Sequence, residues 1–140
     1  YLDKKGTVKL LKHWVVEDCG TMINPLTADE QIRGGVVQGL GMALFEECIY
    51  SSDGQLLTIT LADYLVPMAA EMPDIKIHHI STKSPMSKLG AKGAGEAGTA
   101  GAPAAVMNAV NDALSVLGVS VDSFPINPEN VLRALGKISK

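Results

Sequence analysis

The stretch NPLTADEQIRGGVVQGLGMAL, residues 24–44, decides how the first half of this 140-residue chain folds. Asn24 is a favoured helix N-cap residue, and Pro25 suits the first helical position. Thr27 to Glu30 offers a second start, as a capping box. Apolar side chains then recur at steps of four, which predicts a helix ending near Cys48. The predicted buried stripe consists of Ile32, Val36, Leu40 and Leu44, with Val37 and Phe45 beside it.

Glycines interrupt this predicted helix at four positions, namely Gly34, Gly35, Gly39 and Gly41. Each interior glycine costs about 1 kcal/mol relative to alanine, so something must approach the backbone closely there. Gln38 lies among them and carries two N–H donors and one acceptor. One interpretation is a polar, planar ligand that Gln38 hydrogen-bonds; the other is tight helix packing with Gln38 at a polar rim. Composition alone favours tight packing.

The rest of the chain alternates strand and helix signals, which predicts an α+β fold with a mixed sheet packed with two longer helices. We expect one domain over residues 1–140. Loop-like sequence covers residues 83–101, and the two prolines around residues 68–72 predict an irregular connection. Residues 7–18 predict a strand or a bent pair of strands, and further strands are predicted over residues 55–61 (after a turn at 52–54) and 74–82. The predicted helices are one from Pro103 to Leu117 and a short one over residues 131–135, opened by Asn127-Pro128-Glu129 and stopped by Gly136.

Composition excludes several classes of protein. Twelve Lys and Arg against fifteen Asp and Glu give a net charge of −3, which does not suit a nucleic-acid or anionic-membrane binder. No apolar run approaches the roughly 20 residues of a membrane span. The start of the sequence lacks the apolar core of a secretory signal. Because the first residue is Tyr1 rather than Met, we expect a processed chain or a part of a longer one. Cys19 and Cys48 form neither a disulfide scaffold nor a metal pair, which favours the cytoplasm.

A second break with local rules is the glycine-rich segment KLGAKGAGEAGTAG, residues 88–101. It contains a formal G-x-G-x-x-G at Gly93, Gly95 and Gly98, but no buried strand precedes it and the acid that follows, Asp112, falls within a helix. We therefore reject a dinucleotide-binding site. Glu96 then presents one carboxylate at the mouth of a helix. It is a general base if desolvated or an exposed glutamate that meets the helix dipole; physics alone favours the second.

These motifs, taken in order, carry a family resemblance. The chain resembles the C-terminal part of the large, molybdenum-cofactor-binding subunit of the xanthine dehydrogenase/aldehyde oxidase family. It is most similar to the bacterial branch that includes aerobic carbon monoxide dehydrogenase. The matching stretches are DCG at 18–20, INP at 23–25, QIRGGVVQGLG at 31–41, EE at 46–47, DYLVP at 63–67, LGAKGAGEAGT at 89–99, PAAVMNAVNDAL at 103–114 and PINPENV at 125–131.

The resemblance implies roles for five residues. It implies that Glu96 acts as the base beside the molybdenum and that Gln38 contacts the pterin cofactor. Gly93, Gly95 and Gly39 are then the positions of close cofactor approach. The family holds molybdenum through the dithiolene of the pterin, so we expect no protein metal ligand. The implied cofactor is molybdenum–molybdopterin, in bacterial relatives usually the cytosine dinucleotide form, with Fe–S and FAD carried by partner subunits or domains.

The resemblance also implies partners. The remainder of the molybdenum subunit would supply much of the site, so we expect the isolated chain to be inactive. The other implied partners are iron–sulfur and FAD subunits and a small-molecule substrate. The resemblance neither requires nor excludes a homo-oligomer. Carbon monoxide, aldehydes, purines and other N-heterocycles are all substrates within the family. The alternative is a non-catalytic module that binds cofactor or subunits. The three histidines (His13, His78 and His79) are interpreted as structural, and both cysteines as buried small hydrophobes.

Overall fold

The computed structural model describes residues 2–139, and it confirms the α+β class. Tyr1, on which the expectation of a processed chain rests, lies outside this range. Among the described residues, no helix combines the length and the apolarity needed to cross a membrane. The elements in chain order are β1 (Lys12–Glu17), α1 (Pro25–Leu44), a 3-10 turn (Ala69–Glu71), β2 (Asp74–His79), α2 (Ala97–Ser115) and α3 (Pro128–Ala134).

β1 and β2 form a parallel two-stranded sheet, in which Lys12 pairs with Asp74 and Glu17 with His79. Antiparallel pairing within residues 2–139 is limited to isolated bridges, one of them between Tyr50 and Leu56. The strand expected over residues 55–61 is therefore wrong. Its alternating apolar side chains find no neighbouring strand to cover one face, and Leu57, Ile59 and Leu61 stay exposed.

Helix α1 begins at the first of its two expected starts. The Asn24 side chain accepts a hydrogen bond from the Thr27 N–H (3.3 Å), and Pro25 is the first helical residue. The helix ends at Leu44, four residues before Cys48. The N–H groups of Phe45 and Glu46 both donate to the Gly41 carbonyl (2.9 Å each), which closes the last turn.

Helix α2 begins at Ala97 rather than at Pro103, so the expected start of this helix is wrong. A proline inside a helix lacks an N–H and leaves the carbonyl four residues earlier without its usual partner. Here that carbonyl is Thr99 O, and both it and Pro103 Cδ lie against Gly39 of α1. Packing against α1 therefore accommodates the proline, and Glu96 becomes the N-cap residue of α2.

The core lies between α1 and α2, and three glycines, Gly35, Gly39 and Gly98, set how closely the two helices approach. A Cβ on Gly98 would lie 2.2 Å from Ile32 O, and one on Gly39 would lie 2.7 Å from Ala102 Cβ. Helix α3 begins after the expected Asn127 cap and contributes the buried Val131 to this core. The most buried apolar side chains are Ile32, Val36, Leu40, Ala43, Ala102, Val106, Leu114, Ile126 and Val131.

Candidate functional site

Glu96 and Gln38 line one cavity of about 300 Å³, together with Thr99 and Ala100. Gln38 lies within α1, whereas Glu96 immediately precedes α2. The Glu96 side chain makes no capping hydrogen bond to α2. Its carboxylate is therefore available to a ligand in the cavity.

Thr99 links the two helices at this cavity. Its hydroxyl oxygen lies 3.0 Å from the Gly35 carbonyl oxygen and 3.2 Å from Gln38 Oε1, and these two acceptors share its single proton. Anchoring the amide through its oxygen leaves both N–H donors of Gln38 for a ligand. Sequence analysis did not single out Thr99. Its position three residues after Glu96, in the first turn of a helix, is the signal that points to it.

The glycines of the two motifs fall into two groups. A Cβ on Gly35 would lie 3.1 Å from Thr99 N, and Gly39 faces Ala102 and Pro103, so both serve the packing of α1 on α2. A Cβ on Gly93 or Gly95 would meet no atom within 4 Å, so their backbone faces open space. The tight-packing interpretation accounts for the first group. A cofactor contact at Gly39 stays a prediction.

The segment that carries Glu96 is held from both sides of that residue. On its N-terminal side, Gln31 Nε2 donates to the Gly95 carbonyl at 2.9 Å. On its C-terminal side, the N–H groups of Thr99 and Ala100 donate to the Glu96 carbonyl at 3.1 and 3.2 Å. Gln31 is the first residue of the helix motif QIRGGVVQGLG and is a further candidate site residue. Its spacing of seven from Gln38 puts both amides on one face of α1.

The other end of the glycine-rich segment is anchored to the Asp18-Cys19-Gly20 turn. Lys92 Nζ lies 2.9 Å from Asp18 Oδ2 and 2.6 Å from Thr82 Oγ1. The Lys92 ammonium, with the hydrogen bonds from Thr82 and Gly20, holds the pKa of Asp18 well below its usual range. Asp18 therefore stays ionised as an anchor and is not a proton carrier at neutral pH.

A second cavity, of about 420 Å³, lies beside Gln31 and is bounded by the start of α1 and the glycine-rich segment. Gln31 therefore lines the larger cavity while it donates to the Gly95 carbonyl, and Glu96, the residue after Gly95, lines the smaller one. The residues lining the larger one are Cys19, Thr21, Met22, Ile23, Asn24, Thr27, Ala28, Gln31, Ala91, Lys92 and Ala94.

His79, on β2, joins β1 and α1 through its two ring nitrogens. Its Nδ1 lies 2.9 Å from Glu17 Oε1 and its Nε2 lies 2.6 Å from Asp29 Oδ1. The hydrogen bond with Asp29, and then that with Glu17, raises the pKa of His79 against the opposing effect of burial. Glu17, Cys19 and His79 lie close enough to share a metal ion. Both ring nitrogens already face carboxylates, which supports the structural interpretation of His79.

The remaining histidines and cysteines divide by exposure. His78 is exposed, and burial lowers the pKa of the half-buried His13. Cys19 is buried as expected, whereas Cys48 is exposed, so the expectation for Cys48 is wrong. The helix ends before Cys48, which leaves the thiol on a surface segment rather than on the buried stripe.

Comparison with known proteins places this geometry in context. Residues 3–73 match the family model described as molybdopterin cofactor-binding domain. The chain is 51% identical over 129 residues to the nicotine 6-hydroxylase large subunit of Paenarthrobacter nicotinovorans, covering 92% of this chain and 16% of that relative. It is 35% identical over 130 residues to a carbon monoxide dehydrogenase large chain of Hydrogenophaga pseudoflava, covering 93% of this chain and 16% of that one.

A solved structure shares the fold over nearly the same range. Quinoline 2-oxidoreductase from Pseudomonas putida 86 superimposes with a TM-score of 0.86 at 50% sequence identity. The match covers 90% of this chain and 16% of that chain. The chain therefore spans about one-sixth of the length of these similar proteins.

Proposed function

Because the chain belongs to the molybdopterin cofactor-binding domain family, we propose that it is the C-terminal part of the large subunit of a molybdenum hydroxylase. The reaction would insert water-derived oxygen into a substrate C–H bond or oxidise carbon monoxide or an aldehyde. The names of the relatives support this, since they include a nicotine 6-hydroxylase and a carbon monoxide dehydrogenase. The same matches confirm the resemblance to the carbon monoxide dehydrogenase-like branch.

One observation carries the proposal. Glu96 and Gln38 are far apart in the sequence yet line the same cavity, and each comes from a motif of the resemblance. The cavity offers the two amide N–H donors of Gln38 and the carboxylate of Glu96. Gly93 and Gly95, which shortly precede Glu96 in the sequence, leave their backbone open to an approaching group. These groups fit a polar, planar ligand that needs close backbone approach and brings its own metal ligands.

The chemistry divides between the cofactor and this chain. When bound, a molybdenum–molybdopterin centre supplies two-electron oxidation chemistry. In the proposal, Glu96 accepts a proton from the attacking oxygen, because its carboxylate is free of capping bonds. Gln38 donates to the pterin while Thr99 fixes its amide. Gly93, Gly95 and Gly39 lack side chains, so the cofactor can approach their backbone in the proposal. Gly39 also leaves room for α2 to pack on α1.

The proposal extends to the rest of the assembly. We propose the cytosine dinucleotide form of the pterin, Fe–S and FAD on partner subunits or domains, and a cytoplasmic location, which suits two free thiols. Residues 1–140 would form one domain that completes its site with the remainder of the molybdenum subunit. The outer face of the sheet supports such a neighbour, because the Trp14 and Val16 side chains are 67% and 57% exposed.

The test is Glu96→Gln in the assembled enzyme. The amide keeps the size of the side chain but cannot accept the proton, so we expect kcat to fall by about 10²–10⁴-fold with molybdenum and pterin content unchanged. Glu129→Gln is the matched control, because Glu129 also lies at a helix N-terminus but pairs with Arg133 (2.6 Å) away from the cavity.

Gln38→Ala tests the cofactor contact in the same preparation. We expect lower bound pterin with little change in the free energy of unfolding, since Gln38 is exposed in this chain. Near-normal kcat in Glu96→Gln would refute the base assignment and favour the non-catalytic module. Unchanged pterin stoichiometry in Gln38→Ala would refute the pterin contact.

A further inference from the structure

The backbone before Glu96 contains two glycines, which have a wider conformational range than other residues. Gly93 and Gly95 precede it, and neither glycine is packed against a neighbour that would restrict it. One long turn bond crosses this point, from the Ala97 N–H to the Ala94 carbonyl (3.4 Å), and the Gly95 carbonyl precedes the Glu96 carbonyl that accepts from Thr99 and Ala100. If the Glu96 carboxylate is to meet a reacting atom in a fixed position, the backbone on the N-terminal side of Glu96 needs a further contact that holds it.

Gln31 supplies that contact. Its Nε2 donates to the Gly95 carbonyl at 2.9 Å, across 64 positions of sequence. Gln31, Gly35 and Gln38 are spaced i, i+4, i+7 on α1, so one helix face carries all three contacts to the start of α2. The close approach at Gly98 brings that face within reach of the segment.

We propose that Gln31 is a positioning residue for Glu96, which fixes the peptide before the base so that its carboxylate faces the cavity shared with Gln38. The inference rests on the proposed function, because it assigns Gln31 a role toward the same base. Misplacing a catalytic group by about 1 Å costs on the order of 10²-fold in rate. A single hydrogen bond far from the substrate can therefore control turnover.

The test compares three substitutions of Gln31 in the assembled enzyme. Gln31→Leu removes the donor at similar size, Gln31→Glu replaces it with an acceptor, and Gln31→Lys restores an N–H donor of sufficient reach. Gln55→Leu is the matched control, because Gln55 also donates to a backbone carbonyl (Leu56 O, 3.2 Å) but in an exposed turn away from the cavity. Steady-state kinetics, molybdenum and pterin content, and hydrogen exchange of residues 93–97 are measured for each.

We expect Gln31→Leu and Gln31→Glu to lower kcat at least about tenfold with KM within twofold and cofactor content unchanged. Hydrogen exchange of residues 93–97 should become faster in the same two variants. Gln31→Lys should recover most of the lost kcat and most of the lost protection from exchange, and Gln55→Leu should match the parent enzyme in both. Unchanged exchange in Gln31→Leu, or faster exchange with parental kcat, would overturn the inference.

Glu96→Gln, run in parallel, separates this inference from the proposed function. If Glu96→Gln is inactive while Gln31→Leu has parental kcat, the base assignment stands and the positioning role fails. If Glu96→Gln retains parental kcat, the proposed function fails whatever Gln31→Leu does.

Discussion

Single residues show how a neighbouring group decides what an ionisable side chain does. Glu96 precedes a helix, yet its carboxylate makes no capping bond. Asp18 is tied to Lys92 and Thr82 and stays ionised. The two carboxylates therefore have different uses: that of Glu96 is available for a ligand and that of Asp18 anchors a loop.

Tyr64 provides a prediction at this scale. Its hydroxyl donates to Glu46 Oε2 at 2.6 Å, and this bond raises the pKa of Tyr64 to about 12. Because the folded-state pKa lies above the unfolded value of about 10, the contribution of this bond to stability is complete below pH 10. It is lost as the pH rises through about 12.

The measurement is absorbance of the phenolate near 295 nm during alkaline titration. The difference between the parent and Tyr64→Phe should give a transition at about pH 12. A Tyr64 transition near pH 10 would mean that the hydrogen bond to Glu46 does not form in solution.

At the scale of elements, contact between α1 and α2 depends on positions without side chains. Gly98 lies against the Ile32 carbonyl, and Gly39 against Ala102 and Pro103. Small residues at these places bring Thr99 to Gly35 and Gln31 to Gly95. The geometry of the candidate site is therefore a consequence of helix packing.

Two glycine substitutions in α2 should have opposite effects on stability. Gly98→Ala would place a Cβ 2.2 Å from the Ile32 carbonyl oxygen, so we expect a loss of about 1–3 kcal/mol in the free energy of unfolding. Gly101→Ala meets nothing within 4 Å and should gain up to about 1 kcal/mol through helix propensity. Urea unfolding measures both, and equal effects would contradict the packing described for Gly98.

At the scale of the whole molecule, the chain exposes apolar surface and an open candidate site. Trp14 and Val16 lie on the outer face of a parallel sheet, a type of sheet that is normally covered on both faces. Glu96 and Gln38 are exposed as well. Both features are expected of a part that completes its surface and its site against further protein.

The isolated 140-residue chain should accordingly show no steady turnover when supplied with molybdenum cofactor and a dye acceptor. The physical reason is that Glu96 and Gln38 occupy one side of an open cavity of about 300 Å³, which neither excludes water nor orients a substrate. The assembled enzyme serves as the positive control. Sustained turnover by the isolated chain above that of its Glu96→Gln variant would contradict this prediction.

Local sequence alone determined the starts of two helices and one strand. Asn24-Pro25 and Asn127-Pro128 begin α1 and α3 because a capping side chain and a preset φ act within a few residues. The alternation of residues 74–79 likewise predicts β2. The two motifs that carry Gln38 and Glu96 were visible for a similar reason, since glycine inside a helix and a glycine-rich loop break local rules.

Only the tertiary structure decided where α2 begins, which residues face the cavity and which glycines are packed. Pro103 sits inside α2 because Gly39, on another helix, makes room for it. The bonds of Gln31 to Gly95 and of Thr99 to Gly35 join residues more than sixty positions apart. Local propensity does not encode such contacts, because their energy depends on the distance between two helices that the packing of the whole core sets.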